Sequence, residues 1–379
     1  LFQTLTLTGA STAVLATNAA ATGIANVTLG TGNTDITSAN AIAVNAAALT
    51  GQTLAIQGAG AFTVTGHDST GTLTKTSTAA TDITLAARAT GTLALGADTT
   101  GTDAITATAL TNGQIVTLTG ANDATVAFQN GDVTATAYTG QLTVTGTGTT
   151  GQFTTGTVSS SISSTGATAV VATAMADGQT LTTSGAGVTT ITGLQADLVD
   201  TSTAAQVITV VNPATGLTLA LGSDTTGTDA ISETTLADGR AITMTGANDA
   251  TVALVAGDLA ASTYTGVLAV TATTGSNVIA TGSGVDTIIG GLGLDTITTG
   301  GGADSIVLDG GLTTSIDTIT DFTTGALGDQ FDMDESQLQT NGLVIAGTTI
   351  DLVELQDASA TAASDTIVIQ EVADQGSGV

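Results

Sequence analysis

Three aspartates, Asp286, Asp295 and Asp304, recur at a spacing of nine, and two positions beyond each stands an isoleucine, Ile288, Ile297 and Ile306. From Thr281 the chain reads TGSGVDTII, GGLGLDTIT, TGGGADSIV, three units in unbroken register against the pattern Gly-Gly-x-Gly-x-Asp-x-aliphatic-x. The residue types suit a hard cation. Calcium takes about six to eight oxygen ligands at roughly 2.3–2.6 Å, and two such loops offer carbonyls and carboxylates together. Gly282, Gly284, Gly291, Gly293, Gly300 and Gly302 are expected to adopt positive φ and turn their carbonyls inward, while each isoleucine enters the core of a short strand. Two nonapeptides make one coil, so Asp286 and Asp304 should share one edge and Asp295 should lie on the other. The expected calcium site lies between the loops at 282–286 and 300–304, and Asp309 is a further candidate carboxylate.

The pattern has departures. Thr281 and Thr299 stand where the first glycine belongs, and the preceding nine residues carry Asn277 in place of aspartate. Upstream, Gly101-Thr102-Asp103-Ala104-Ile105 and Gly227-Thr228-Asp229-Ala230-Ile231 keep only the second half of the motif and read as plain turns. Nothing suggests catalysis. His67 is the sole histidine and adjoins Asp68 in a Gly-rich turn, and neither a His-Glu-x-x-His nor a Gly-x-Ser-x-Gly motif occurs. Arg240 reads as a surface substitution or a salt-bridge partner, and Tyr138 and Tyr264 as packing residues at strand ends.

Composition fits an ion-dependent repeat array. The 379 residues include 49 Gly, one proline (Pro213) and 2% aromatics, side chains that fill a thin core and not a thick one. A hydrophobic fraction of 41% argues against intrinsic disorder. The net charge is −29, with only Lys75, Arg88 and Arg240 to oppose 32 acids, and 16 of those acids follow residue 280. Nucleic acid is excluded as a partner, since phosphate binding needs clustered Lys and Arg; cations are the natural one. Cysteine is absent, which removes disulfides and thiolate metal sites. No apolar run is long enough for a membrane-spanning helix, so no membrane span is expected. Leu1 opens no export signal and falls inside a repeat, which points to a piece of a longer protein exported by a signal elsewhere.

The elements that must position the loops are repetitive. Leu93 to Gly151 returns from Leu219 onward, with Tyr138 mapping onto Tyr264 at an offset of 126. A shorter period is marked by Gly51, Gly113, Gly178 and Gly239, each followed by Gln or Arg and an alternating strand, at spacings of 62, 65 and 61. Segments such as TLTLTG, IVTLTG and AITMTG alternate apolar residues with Thr, the signature of short half-buried strands. The Ala-rich stretches 41–50 and 167–176 could form a helical turn. An immunoglobulin-like sandwich needs about 100 residues per unit, so a string of small sandwiches is the weaker alternative. The expected fold is all-β, a parallel β-solenoid of ~63-residue repeats, about three coils each, ending in a calcium β-roll. Domains are expected at 1–270 (units near 1–50, 51–112, 113–177, 178–238 and 239–270), 271–316 (the roll) and 317–379 (a cap and secretion-signal region).

The nonapeptides resemble the calcium-binding roll of RTX (repeats-in-toxin) proteins secreted by type I systems. Asp317-Thr318-Ile319-Thr320-Asp321-Phe322 and Gly328-Asp329-Gln330-Phe331-Asp332-Met333 are similar to the cap that follows such rolls. Together they cover about residues 275–335. The Thr/Ala/Gly-rich array resembles, by composition, the surface-layer and filament proteins of that group. The resemblance implies a non-enzymatic structural protein at a Gram-negative cell surface, folding with Ca2+ outside the cell and assembling with itself. Cell-surface polysaccharide is a second candidate partner. Two other readings stay open: a monomeric adhesin, or ice- or glycan-binding solenoid, suggested by the Thr-rich faces, and the C-terminal part of a secreted hydrolase or toxin.

Overall fold

A computed structural model describes residues 3–17, 24–67, 71–86, 91–96, 101–148, 151–211, 213, 215–222, 224, 227–307, 317–323, 328–332 and 367–368. The chain is an all-β parallel solenoid: short strands alternate between two parallel sheets, and among the described residues there is no helix. The Ala-rich stretches resolve into the strands Ile42–Asn45 and Thr168–Val171, each followed by a turn. β-Branched Val, Ile and Thr dominate these strands because alternate side chains must fit either a thin core or a pleated outer face. Two compact units are present, Leu1–Val207 and Ile208–Val379.

In the first unit, each coil places one strand in each sheet, and register carries identical side-chain positions from coil to coil. One inward column runs Val44, Val64, Ile83, Ile105, Val126, Val144, Ile162. In the opposite sheet a column runs Leu54, Leu73, Leu93, Leu118. All of these side chains are buried, and they face each other within a narrow, mainly aliphatic core that also takes Phe62, Phe128 and Phe153. The outward positions of the first sheet carry small hydroxyl residues in matching rows, for example Thr65, Thr84 and Thr106.

The second unit is built the same way, with columns Ile242, Leu259, Ile279, Ile297, Ile319 and Ile231, Val252, Val270, Ile288, Ile306, Phe331. Strand pairing runs without interruption past 270 into the nonapeptides, and past 316, where Thr318–Ile319 and Gln330–Asp332 pair with the roll strands in parallel. The cap segment thus continues the stack as a further coil, and Phe322 and Phe331 stack face to face at 4.6 Å.

The glycines that mark the shorter sequence period, Gly51, Gly113, Gly178 and Gly239, have φ of 73°, 83°, 76° and 77°. Each turns the chain into an alternating strand in the left-handed conformation that side chains disfavour. The period does not always return to the same sheet. Leu54–Gly58 and Ile115–Gly120 belong to one sheet, three coils apart as expected, whereas Thr180–Gly185 lies in the other, because it comes seven strands after Ile115–Gly120 and not six. A turn-plus-strand module fits either face, since both faces present the same alternation to the same core.

A methyl group at Gly178 would meet no atom within 4 Å. Gly178→Ala is therefore expected to lower unfolding free energy by about 1–2 kcal/mol from backbone strain alone, and Gly178→Asn by less. Urea denaturation followed by circular dichroism measures both.

Candidate metal centre

The nonapeptides fold as coils of 18 residues: Ile288 pairs with Ile306 and Val270, and Ile297 with Ile279. Asp286 and Asp304 fall on one edge and Asp295 on the other, as the spacing requires. Each aspartate curls back over its own loop, and the carboxylate accepts a backbone amide from the coil before. Asp286 Oδ1 accepts from Leu268 at 2.7 Å, Asp304 Oδ1 from Asp286 at 2.7 Å, and Asp329 Oδ1 from Asp304 at 3.2 Å. On the opposite edge Asp295 Oδ1 accepts from Asn277 at 2.7 Å and Asp317 Oδ1 from Asp295 at 3.0 Å. Carboxylates therefore climb both edges, and Asp329 and Asp317 of the cap supply a further rung of each.

Glycine is required here because the loops nest backbone on backbone. A Cβ on Gly300 would lie 2.0 Å from the Gly282 carbonyl oxygen, and one on Gly302 1.9 Å from that of Gly284. Gly291, Gly293, Gly300 and Gly302 have φ of 78°, 153°, 81° and 146°, but Gly282 and Gly284 are not among the residues with positive φ. The loop at 282–286 differs from expectation in this respect. Its glycines are needed for close approach, to the carbonyls of Tyr264 and Gly266, and not for a left-handed turn. Thr281 and Thr299, which replace first-position glycines, are buried, and Thr281 donates its hydroxyl to the Thr299 carbonyl at 2.7 Å. Asp309 lies outside the described residues.

The electrostatics of the Asp286–Asp304 edge are unfavourable as it stands. Both carboxylates are 1% exposed, and the Oδ2 atom of each is buried with no hydrogen-bond partner among the described residues. Burial pushes the Asp286 carboxyl up, and the hydrogen bond from the Leu268 amide pulls it part of the way back. Burial likewise raises Asp304, to about 6, and the neighbouring charges of Asp286 and Asp329 add to the rise. Among the described residues no three acidic or imidazole side chains converge by themselves to hold a metal. A calcium ion here would draw on the two Oδ2 atoms and on carbonyls of the nested loops, a donor set of hard oxygens that fits it. The observation that favours the fit is the pair of unpartnered, buried carboxylate oxygens.

Other singled-out residues are structural. Tyr138 and Tyr264 are buried, and each donates its hydroxyl to the carbonyl of an asparagine, Asn122 and Asn248. Burial, with the charges of Asp229, Asp249, Asp224 and Asp286, pushes the Tyr264 phenol upward, and the Tyr264 carbonyl accepts the amide of Ser283 at the start of the roll at 2.9 Å. His67 is buried, and the Arg240 guanidinium donates to the Pro213 carbonyl. The half-motif at Asp103 is more than a plain turn. Asp103 is buried in an ion pair with Lys75 and receives Asn122 Nδ2; Asp229 is buried in the second unit and receives Asn248 Nδ2 at 3.1 Å. The inward position of Lys75 in the strand TLTKTS was the available signal for this pair.

An unfolded aspartate releases its proton near 3.8, whereas folded Asp304 holds it to about 6. Folding of the metal-free chain therefore takes up protons between these values. The stability this contributes is full below about pH 4 and is lost as pH rises through about 6. In chelator, Asp304→Asn should raise the melting temperature at pH 7 and leave it nearly unchanged at pH 4, a comparison that calorimetry makes directly. No protein-family model matches the chain, and no curated protein or solved structure matches it significantly.

Proposed function

We propose that this chain is a calcium-dependent structural protein of a Gram-negative cell surface, secreted by a type I system and assembling with itself into an extracellular layer or filament. The single observation that carries the calcium reading is the edge of Asp286 and Asp304, two buried carboxylates whose Oδ2 atoms lack a partner. A chain of net charge −29 with 16 of its acids after residue 280 adds a reason for a cation to be needed there. Linkage supplies the mechanism. Where calcium is scarce the acidic coils repel one another and folding is disfavoured; where it is abundant, binding to the folded form alone stabilises that form by mass action. Self-association is supported by the repetition of small, closely similar coils, which offers the same contact many times over. No catalytic role is proposed, and buried His67 leaves no exposed imidazole.

A second reading is favoured by one surface. On the first sheet of the first unit, successive coils present Thr65, Thr84, Thr106, Ala127, Thr145, Ser163, Ser184 and Thr201 in unbroken register. Several hydroxyls are held against the preceding coil, as Thr201 is to the Thr183 carbonyl at 3.0 Å. A regular, hydroxylated face of this kind suits adhesion to a regular surface such as ice or glycan by a monomer.

Terbium can replace calcium and be excited through Tyr264. Sensitised emission should appear on titration, fall with Tyr264→Phe, and lose affinity by about 10–100-fold in Asp286→Asn and Asp304→Asn; unchanged affinity in both carboxamide variants would sink the metal assignment. For assembly, electron microscopy in millimolar calcium should show ordered sheets or fibres that disperse in EGTA. Monodisperse particles that bind ice or glycan in calcium would establish the second reading instead.

A further inference from the structure

Asp103 is built as the nonapeptide aspartates are. It begins the strand Asp103–Ala107, and Ile105 two positions on is buried, as Ile288 and Ile306 are. Its Oδ1 accepts the amide of Thr81 in the preceding coil at 2.8 Å, matching the 2.7 Å bonds made by Asp286 and Asp304. The difference lies at the second oxygen. Oδ2 of Asp286 and of Asp304 is buried without a partner, whereas Oδ2 of Asp103 receives Lys75 Nζ at 3.0 Å and Asn122 Nδ2 at 3.2 Å. The same Nζ lies 2.8 Å from Oδ1, and both side chains are 0% exposed.

Lys75 is the sole lysine of the chain, and it occupies an inward position between two aliphatic neighbours, Ile56 and Leu95. An ammonium in such a place is strongly disfavoured unless a carboxylate meets it. We infer that Asp103 is a cation site of the nonapeptide kind whose occupant is the tethered ammonium of Lys75, and that without Lys75 it takes a free divalent cation, calcium. The first unit thereby carries its own counter-ion and folds without calcium, while the nonapeptide coils depend on ions from solution. This inference rests on the reading of Asp286 and Asp304 as ion-holding carboxylates.

The full chain carrying Asp286→Asn and Asp304→Asn, with Lys75 intact, should melt at nearly the same temperature in EGTA and in millimolar calcium. Adding Lys75→Ala should lower melting in EGTA by roughly 10 °C, and calcium should restore most of that loss. Lys75→Ala combined with Asp103→Asn, which removes both charges, should fold and show no such restoration. The inference is overturned if the Lys75→Ala chain melts alike with and without calcium, if it stays unfolded in calcium while the double replacement folds, or if the double replacement is rescued equally. A chain with native roll aspartates that ignores both calcium and terbium overturns the proposed function instead, so the two failures are separable.

Discussion

Coil-on-coil register is the constraint from which the rest of this molecule follows. Within the stack, strands pair in parallel with the strand one coil before and one coil after, so an inward side chain rests on another from the same position. A column cannot alternate large and small residues freely when its neighbours are only about 4.8 Å away. Aliphatic residues of similar size are the stable solution, and the two facing columns make a core too thin for many aromatic rings. The scarcity of Phe, Tyr and Trp is in this sense a consequence of architecture.

The same register decides where charge can sit. An aspartate at the start of a strand can turn its carboxylate onto the amide of the previous coil, which satisfies one oxygen and buries the other. That second oxygen is the chemical opportunity of the fold. At Asp103 an ammonium from the core of the same unit fills it; at Asp286 and Asp304 nothing among the described residues does. Stacking such aspartates also brings like charges together along an edge, so that Asp286 and Asp329 raise the proton affinity of Asp304. A cation placed among them would offset both the burial and the repulsion.

Close approach of backbones is the remaining requirement, and glycine meets it. The nested loops of the roll allow no Cβ at Gly300 or Gly302, so the carbonyls of one loop lie against the backbone of the next. The cap continues this construction with aspartates of its own: Asp321 accepts the amides of Thr299 and Gly300, and Asp329 those of Asp304 and Thr323. The stacking of the roll and its continuation into the cap thus rest on one kind of contact, carboxylate to amide across a coil.

Much of this was legible in the chain itself. Alternation of Thr with aliphatic residues set the strands, and the ninefold spacing of Asp286, Asp295 and Asp304 sorted them onto two edges, because side-chain direction in a strand and the length of a coil are local properties. Long-range contacts were not legible. That Lys75 meets Asp103 depends on which inward position faces which coil edge, 28 residues away. That Gly282 and Gly284 avoid positive φ depends on how their loop rests on Tyr264 and Gly266. That a 65-residue spacing moves a strand to the opposite sheet depends on the number of corners folded in between. Sequence alone determined the thin all-β core and the residues able to meet a cation; tertiary structure decided which carboxylate oxygens were left without a partner, since that rests on neighbours brought in by the stack.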